Sequence, residues 1–373
     1  MSSIKLKHSG GNGVIIAAPS SNPASDKTLT LPSDVDGTIV SKDSANSLQN
    51  IAGINGGQLS NRNLVINGAM QVAQRGTSYT GGGYATVDRF YLDYAGLDEA
   101  PTQAQVDVAS GTSPYTSGFR KAYKLTNGNQ TSGAGAADVF YIIQIIEAQN
   151  IAQSGWNYIS SSSNITLSFW IKSSVAQTFK GHLKTDDGTA QIYHFETGSL
   201  TADTWTKITK TIPGNSNLQF DNDNAAGLRL VIVPFAGTDY TASSANENAW
   251  QGYSSGIFGG KDNTSTWYTT NDATLEITGV QLEVGSVVTD FQHRSFGQEL
   301  ALCQRYFEKS SMFFSTAGYP FIYQTEKRAA ATVTSPDAGG TFALAGVTPS
   351  STSMWVQRTG GGGQYTVHMD AEL

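Results

Sequence analysis

The segment from Asn246 to Asp272, NENAWQGYSSGIFGGKDNTSTWYTTND, sets Trp250, Tyr253, Trp267 and Tyr268 among asparagines, aspartates, serines and threonines. Sugars offer apolar C–H faces that stack on aromatic rings, and hydroxyls that pair with amides and carboxylates. Rings in a polar loop are therefore the residues expected to read a glycan. These four are the candidate glycan- or receptor-binding residues. The competing account is that the same rings pack over the edge of a folded domain. Trp170 and Trp205 lie inside strand patterns and are expected in a core.

Residues for catalysis are harder to find. No nucleophile elbow, zinc-binding His-Glu-x-x-His pattern or P-loop occurs, and Gly81 to Gly83 lack the helix that a phosphate loop needs. His8, His182, His194, His293 and His368 are scattered without metal-ligand spacing and read as solvated or capping side chains. Glycoside hydrolysis requires two carboxylates facing one another across a cleft. Glu147, Glu196, Glu276 and Glu283 are available, but none lies in a motif typical of a depolymerase. No catalytic residue is assigned, and the chain is expected not to be an enzyme.

Asp34-x-Asp36-Gly37, Asp186-Asp187-Gly188 and Asp221-Asn222-Asp223-Asn224 supply hard oxygen ligands, yet none completes an EF-hand loop. Asp, Asn and Gly are also the residues that turns select. No cofactor or metal ligand is assigned, and a structural calcium ion stays open. Cys303 is the only cysteine, which rules out an intrachain disulfide and fits folding in a reducing cytosol.

Of the 373 residues only 14% are charged, well below the roughly 25% of an ordinary soluble domain. Gly, Ser, Thr and Asn take their place, a balance that suits β-structure with many tight turns. The net charge of −7 and the lack of any Lys/Arg cluster give no footprint for a nucleic-acid backbone. No stretch reaches the ~18 apolar residues of a membrane helix, and MSSIKLKHSGG has no apolar signal-peptide core. Membrane insertion and signal-peptide export are both disfavoured.

The elements that would position these residues follow from periodicity. Short strands are predicted at Ile4 to Lys7, Val14 to Ala17, Thr28 to Leu31 and Thr38 to Val40, forming an N-terminal β arm over residues 1–44. Residues 45–62 read as a polar linker with one helical turn at Ala45 to Ile51. Residues 63–292 carry about nine strand signals. In one of them Ile165, Leu167, Phe169 and Ile171 alternate with Thr166, Ser168, Trp170 and Lys172. A helix is predicted over Phe296 to Lys309, within a segment 293–309. Ser295 and Gln298 stand at capping-box spacing, and Phe296, Leu300, Cys303 and Phe307 fall on one apolar stripe. On that stripe Cys303 is a small buried hydrophobe rather than a reactive thiol. Residues 310–373 return to β pattern as a small C-terminal domain, too small to be stable unless it packs on the helix, on the preceding domain or on other subunits.

Two segments, NLVINGAMQVAQRGTSYTGGGYATVDRFYL (Asn63 to Leu92) and GVQLEVGSVVTDFQHRSFGQELALCQRYFEK (Gly279 to Lys309), bracket the central domain. They resemble the opening and closing of the jelly-roll domain in tail-fibre proteins of tailed bacteriophages. SFWIKSS and TADTWTKITKTIPG are similar to inner strands of carbohydrate-binding modules. The fold class is thus mainly β: an antiparallel jelly-roll β-sandwich with an N-terminal β arm, one C-terminal α-helix and a small C-terminal β domain. The resemblance implies a virion structural protein, most simply a homotrimeric tail fibre assembled in the host cytoplasm. Its arm would join tail or adaptor proteins, and its distal end would recognise host polysaccharide or lipopolysaccharide. A polysaccharide-degrading tailspike and a capsid-decorating head fibre are the alternatives that share the fold.

Overall fold

A computed structural model describes residues 62–314, 319–335, 344–358 and 363–373, together with Gly10 and short strands at 3–7, 13–17, 41–42 and 48–49. The chain divides into two units, Met1–Ala52 and Gly53–Leu373. In the first, β1 (Ser3–Lys7) pairs antiparallel with β2 (Gly13–Ala17), setting Ser3 opposite Ala17. β3 (Ser41–Lys42) pairs with β4 (Leu48–Gln49). That pairing corrects the helical turn expected there, because the segment's backbone groups are satisfied across strands instead of within a helix. The strands expected at Thr28 to Leu31 and Thr38 to Val40 lie outside the described residues, as does most of the linker.

The second unit is built on two six-stranded antiparallel sheets. Sheet I runs in the order β5 (Ser78–Thr80), β7 (Thr102–Asp107), β8 (Lys121–Thr126), β16 (Thr274–Val284), β10 (Asn164–Ser173), β13 (Thr206–Pro213). Sheet II runs β6 (Tyr91–Ala95), β9 (Val139–Glu147), β14 (Ala226–Ala236), β11 (Thr178–Thr185), β12 (Gln191–Ser199), β15 (Trp250–Gly252). Successive strands repeatedly cross from one sheet to the other, as in a jelly roll. The period-2 pattern of β10 does what it predicts: Ile165, Leu167, Phe169 and Ile171 enter the core between the sheets, where Leu183, Phe195, Leu230, Ile232 and Leu282 meet them. Each such fully buried side chain contributes about 1.5–3 kcal/mol.

β9 (VFYIIQIIE) has no alternation, since every residue in it is buried. Phe140, Ile142 and Ile146 face the core. Val139, Tyr141, Ile143 and Ile145 face outward into a second apolar layer with Val231, Val233, Tyr240, Phe258 and Leu373. The outer face of sheet II is therefore partly roofed, and a continuous apolar run is what a strand covered on both sides requires. Trp170 and Trp205, expected in the core, are instead half-buried on the outer face of sheet I with Phe119 and Phe291. For Trp170 the reason is strand register: its neighbours Phe169 and Ile171 take the inward positions.

α1 (Ser113–Thr116), α2 (Ala148–Ala152) and α3 (Thr266–Thr269) are single turns between strands. α4 (Phe296–Gln304) begins with the expected capping box from Ser295 and Gln298. It stops well before Lys309, because β17 (Phe307–Phe314) starts there and pairs along its whole length with β22 (Gly363–Asp370). The apolar stripe is also only partly used. Phe296 is exposed, and the buried side chains of α4 are Glu299 and Cys303. Cys303 lies in the interior, and burial pushes its thiol pKa well up.

The two segments that bracket the central domain in sequence meet in space. Leu64 N donates to Leu282 O at 2.9 Å, Val280 N to Gly68 O at 2.9 Å, and Asn63 Nδ2 to Val280 O at 3.0 Å. A Cβ on Gly68 would stand 2.0 Å from the Val280 carbonyl oxygen, so only glycine fits. Asn67 adopts φ 60°, and its side-chain amide bridges the carbonyls of Val72 and Asp88 at 2.8 and 2.9 Å. Arg89, also at positive φ (72°), is buried with its guanidinium 3.5 Å from the Tyr306 ring centroid and paired to Glu372.

The C-terminal part forms two three-stranded sheets. β22 lies between β17 and β19 (Thr332–Thr334), and β21 (Ser353–Arg358) lies between β18 (Tyr319–Ile322) and β20 (Leu344–Pro349). Among the described residues its buried cluster centres on Tyr323, Met354, Val367 and Met369. It docks on the sandwich through charge. Glu147 accepts Arg305 Nε at 2.7 Å and the Tyr306 hydroxyl at 2.6 Å, and Arg75 pairs with Asp370 at 2.9 Å. Inside it Lys327 and Glu308 form a fully buried ion pair at 2.5 Å.

Candidate functional site

The outward face of sheet II is not covered everywhere. Between β6, β9, β14 and β11 on one side and residues 240–258 on the other lies a groove of about 400 Å³. Its floor is set by strand register. Asp93 on β6 stands opposite Tyr141 on β9, and Arg229 on β14 opposite Lys184 on β11. All four point outward because their neighbours Leu92, Ile142, Leu230 and Leu183 point into the core. Tyr240, Tyr253 and Phe258 form the far wall.

The wall is an aromatic cluster. Phe258 meets Tyr141 edge-on at 4.8 Å between centroids and His182 at 4.5 Å, and Tyr253 at 6.0 Å. Tyr253 keeps 37% of its surface exposed, and Lys184 Nζ lies 4.8 Å from its ring centroid. Below the wall the Tyr141 hydroxyl is buried and makes no hydrogen bond among the described residues. Leaving such a group unpaired costs about 1–3 kcal/mol. Burial pushes the Tyr141 phenol far up, so it remains a donor at any physiological pH. Burial likewise raises the pKa of Asp93.

The electrostatics behind the floor are organised by Asp186. It accepts Lys184 Nζ at 2.6 Å and Arg229 Nε at 2.7 Å, which fixes both cations on the sheet. His182 and His194 are adjacent on β11 and β12 with ring centroids 5.6 Å apart. Both are buried, which corrects their reading as solvated or capping side chains. Neither ring nitrogen of His182 has a hydrogen-bond partner among the described residues, whereas His194 Nε2 meets Ile257 O at 2.7 Å. Burial lowers the pKa of both imidazoles, with the mutual proximity adding to the effect on His182. His293 shares a hydrogen bond with Ser117 O at 3.0 Å, His368 packs against Phe307, and His8 lies outside the described residues.

The four sequence candidates separate. Tyr253 lines the groove. Trp250 is half-buried against the core, with Nε1 donating to Pro213 O at 2.7 Å and its ring 5.4 Å from Tyr193. Trp267 is fully buried, packed on Phe140 and Phe179 with Nε1 bonded to Thr274 O at 3.1 Å. Tyr268 is also buried, stacked 4.3 Å from Phe235 and donating its hydroxyl to Asp138 at 2.7 Å. Trp267 and Tyr268 are thus corrected from ligand-facing rings to core residues, because α3 turns them inward to close the end of the sandwich. Asp93, Tyr141, Lys184, Arg229, Tyr240 and Phe258 were not among the candidates. The available signal was a charged residue inside an apolar strand, Arg229 in AGLRLVIVPFA.

The other candidates for chemistry are engaged structurally. Glu147 is held by Arg305 and Tyr306, which take its pKa down against the opposing effect of burial. Glu196 pairs with Lys180 at 2.8 Å, Glu276 with Lys172 at 3.0 Å, and Glu283 accepts from Thr289. Asp186 serves the two cations, Asp187 accepts the Asp221 amide at 3.0 Å, and Asp223 accepts the Ala225 amide at 3.0 Å, as turns do. Asp34 and Asp36 lie outside the described residues. Among the described residues no three His, Cys, Asp or Glu side chains gather as a metal site, and no helix is long and apolar enough to cross a membrane.

No family model matches the chain, and no curated protein does. Similar solved structures include the enzymatically active domain of tailspike protein 4 of bacteriophage CBA120, at 10% identity and TM-score 0.31 over 60% of this chain and 21% of that one. The chain thus spans about a fifth of that domain's length. The family 11 carbohydrate-binding module from Clostridium thermocellum aligns at 11% identity and TM-score 0.26 over 57% of this chain and 98% of that one. The N-terminal cellulose-binding domain of Cellulomonas fimi β-1,4-glucanase C aligns at 10% and 0.25 over 58% and 99%.

Proposed function

We propose that this chain is a tail-fibre-type structural protein of a virion, and that its sandwich recognises a host cell-surface polysaccharide or lipopolysaccharide through the groove on sheet II. The observation that carries the glycan reading is the partly exposed ring of Tyr253 on the wall of a groove whose floor carries Asp93, Lys184 and Arg229. An aromatic ring beside charged and polar side chains is the pairing a sugar answers, apolar face to ring and hydroxyls to polar groups. The virion reading rests on the resemblance carried by Asn63 to Leu92 and Gly279 to Lys309. Attachment to tail or adaptor proteins belongs to the N-terminal unit in this reading.

Homotrimerisation is supported by the C-terminal sheets, which leave Phe313, Ile322 and Trp355 exposed. The proposed action is binding without turnover. The groove is lined by one carboxylate, Asp93, whereas hydrolysis by the common mechanisms uses a pair. The test is competition: purified protein added to host cells should block particle adsorption, and Tyr253→Ala protein of unchanged melting temperature should not. Equal blocking by the variant sinks the groove as receptor site, and release of reducing ends from envelope polysaccharide sinks binding without turnover.

A further inference from the structure

We infer that the sugar bound in the groove carries an acidic group, a uronic-acid carboxylate or a phosphate ester, received by Arg229. The inference rests on reading the groove as a glycan site. Arg229 is attached to Asp186 from one side only, through Nε. Its two terminal nitrogens make no hydrogen bond or ion pair among the described residues, while the side chain lines the groove and is one-third exposed. A guanidinium anchored through Nε presents Nη1 and Nη2 as a planar fork, and that fork matches the paired oxygens of a carboxylate or phosphate.

The charge of the lining points the same way. Arg229 and Lys184 face one carboxylate, Asp93, and Asp186 is not among the residues that line the groove. The donors left open at the floor are those of Arg229 Nη1 and Nη2, since Lys184 Nζ is taken up by Asp186 and the Tyr141 hydroxyl is buried. A neutral sugar hydroxyl both donates and accepts, whereas an oxyanion only accepts, so a paired set of open donors suits the oxyanion. Lys184 Nζ lies 4.8 Å from the Tyr253 ring centroid, so a sugar stacked on that ring is held next to a cation fixed by the same aspartate as Arg229.

The experiment titrates the full chain with methyl glucuronide, glucose 6-phosphate and methyl glucoside, read by ligand-observed NMR, for the wild type, Tyr253→Ala, Arg229→Gln and Arg229→Lys. At least one acidic sugar should bind tenfold or more tighter than methyl glucoside, and the stronger of the two identifies the oxyanion. Arg229→Gln should erase that preference, so that the acidic sugars bind no tighter than methyl glucoside. Arg229→Lys keeps the charge without the fork and should lose most of the preference. Equal affinity of the wild type for all three sugars, weakened throughout by Tyr253→Ala, overturns the acidic-group inference and leaves the glycan reading standing. Absence of any binding at millimolar sugar, or binding indifferent to Tyr253→Ala, overturns both. The wild-type comparison needs no variant, so a misfolded Arg229→Gln protein does not blunt it.

Discussion

The carboxylate of Glu299, on α4, accepts the backbone amide of Asn67 at 2.6 Å and Arg294 Nη1 at 3.2 Å with the same oxygen. Arg294 in turn donates to Asn63 O at 2.5 Å, so one buried carboxylate ties the segment that opens the sandwich to the helix that follows it. Removing one partner of a buried, hydrogen-bonded pair leaves the other uncompensated, typically at about 3–5 kcal/mol. Glu299→Ala should destabilise the protein by that amount. Glu299→Gln, which keeps an acceptor for Asn67, should cost clearly less. Denaturant midpoints of the two variants check this, and a Glu299→Ala midpoint equal to that of the wild type would remove the clasp.

The rings of the 246–272 segment should divide by burial. Trp267→Ala should cost about 3–5 kcal/mol of stability, as for a large core side chain replaced by a methyl group. Tyr253→Ala should leave the melting temperature close to the wild type and weaken glycan binding by about 1–3 kcal/mol. Trp250→Ala loses a half-buried ring and the Pro213 hydrogen bond and should fall between them in stability. Melting curves run beside adsorption assays read both quantities. A Trp267→Ala protein that melts normally would contradict its place in the core.

Where the pattern is local, the structure was legible in the sequence. The Asn164–Ser173 strand follows from alternation, and the Ser295/Gln298 box from capping chemistry. Edge strands such as Ser78–Thr80 and Trp250–Gly252 were not foreseen, because edge positions bury little and so carry no apolar signature. The site was mostly illegible for a different reason. Asp93, Tyr141, Lys184 and Arg229 lie far apart in the chain and become neighbours only through the order β6, β9, β14, β11. Tyr253 was within reach because an exposed loop ring needs no partner strand to be noticed. Trp267 and Tyr268 look the same in sequence, and only the inward turn of α3 tells them apart.

Acid stability should carry the mark of Asp88. Its carboxylate is buried beside Gln74, which donates from its backbone amide at 2.9 Å, and burial pushes its pKa up to about 6. A folded-state pKa above the unfolded value means that the native protein holds this proton longer. The stabilisation is therefore full below the unfolded value near pH 4 and is lost as pH rises through about 6. The span corresponds to a loss on the order of 3 kcal/mol. His182 acts with the opposite sign, since its lowered pKa costs stability as pH falls below about 6.5. The difference in unfolding free energy between wild type and Asp88→Asn, followed from pH 4 to 7, isolates the aspartate. It should slope in favour of the variant as pH rises, and a flat difference would refute the assignment.

The N-terminal unit should be separable from the sandwich. Met1–Ala52 forms a unit distinct from Gly53–Leu373, and among the described residues the buried core of the latter begins at Val65, with Leu64 packed against it. A domain with its own core folds alone, whereas a short β segment bears on stability mainly through what it pairs with. Deleting residues 1–40 should therefore leave the melting transition of the sandwich and its glycan binding unchanged. The same deletion should abolish incorporation into particles if the N-terminal unit is the attachment point. Complementation of a particle-forming strain with tagged full-length and truncated protein, followed by blotting of purified particles, reads both outcomes. Truncated protein recovered on particles at the full-length level would place attachment in the second unit, where the exposed Ile322 and Trp355 of the C-terminal sheets become the surface to mutate next.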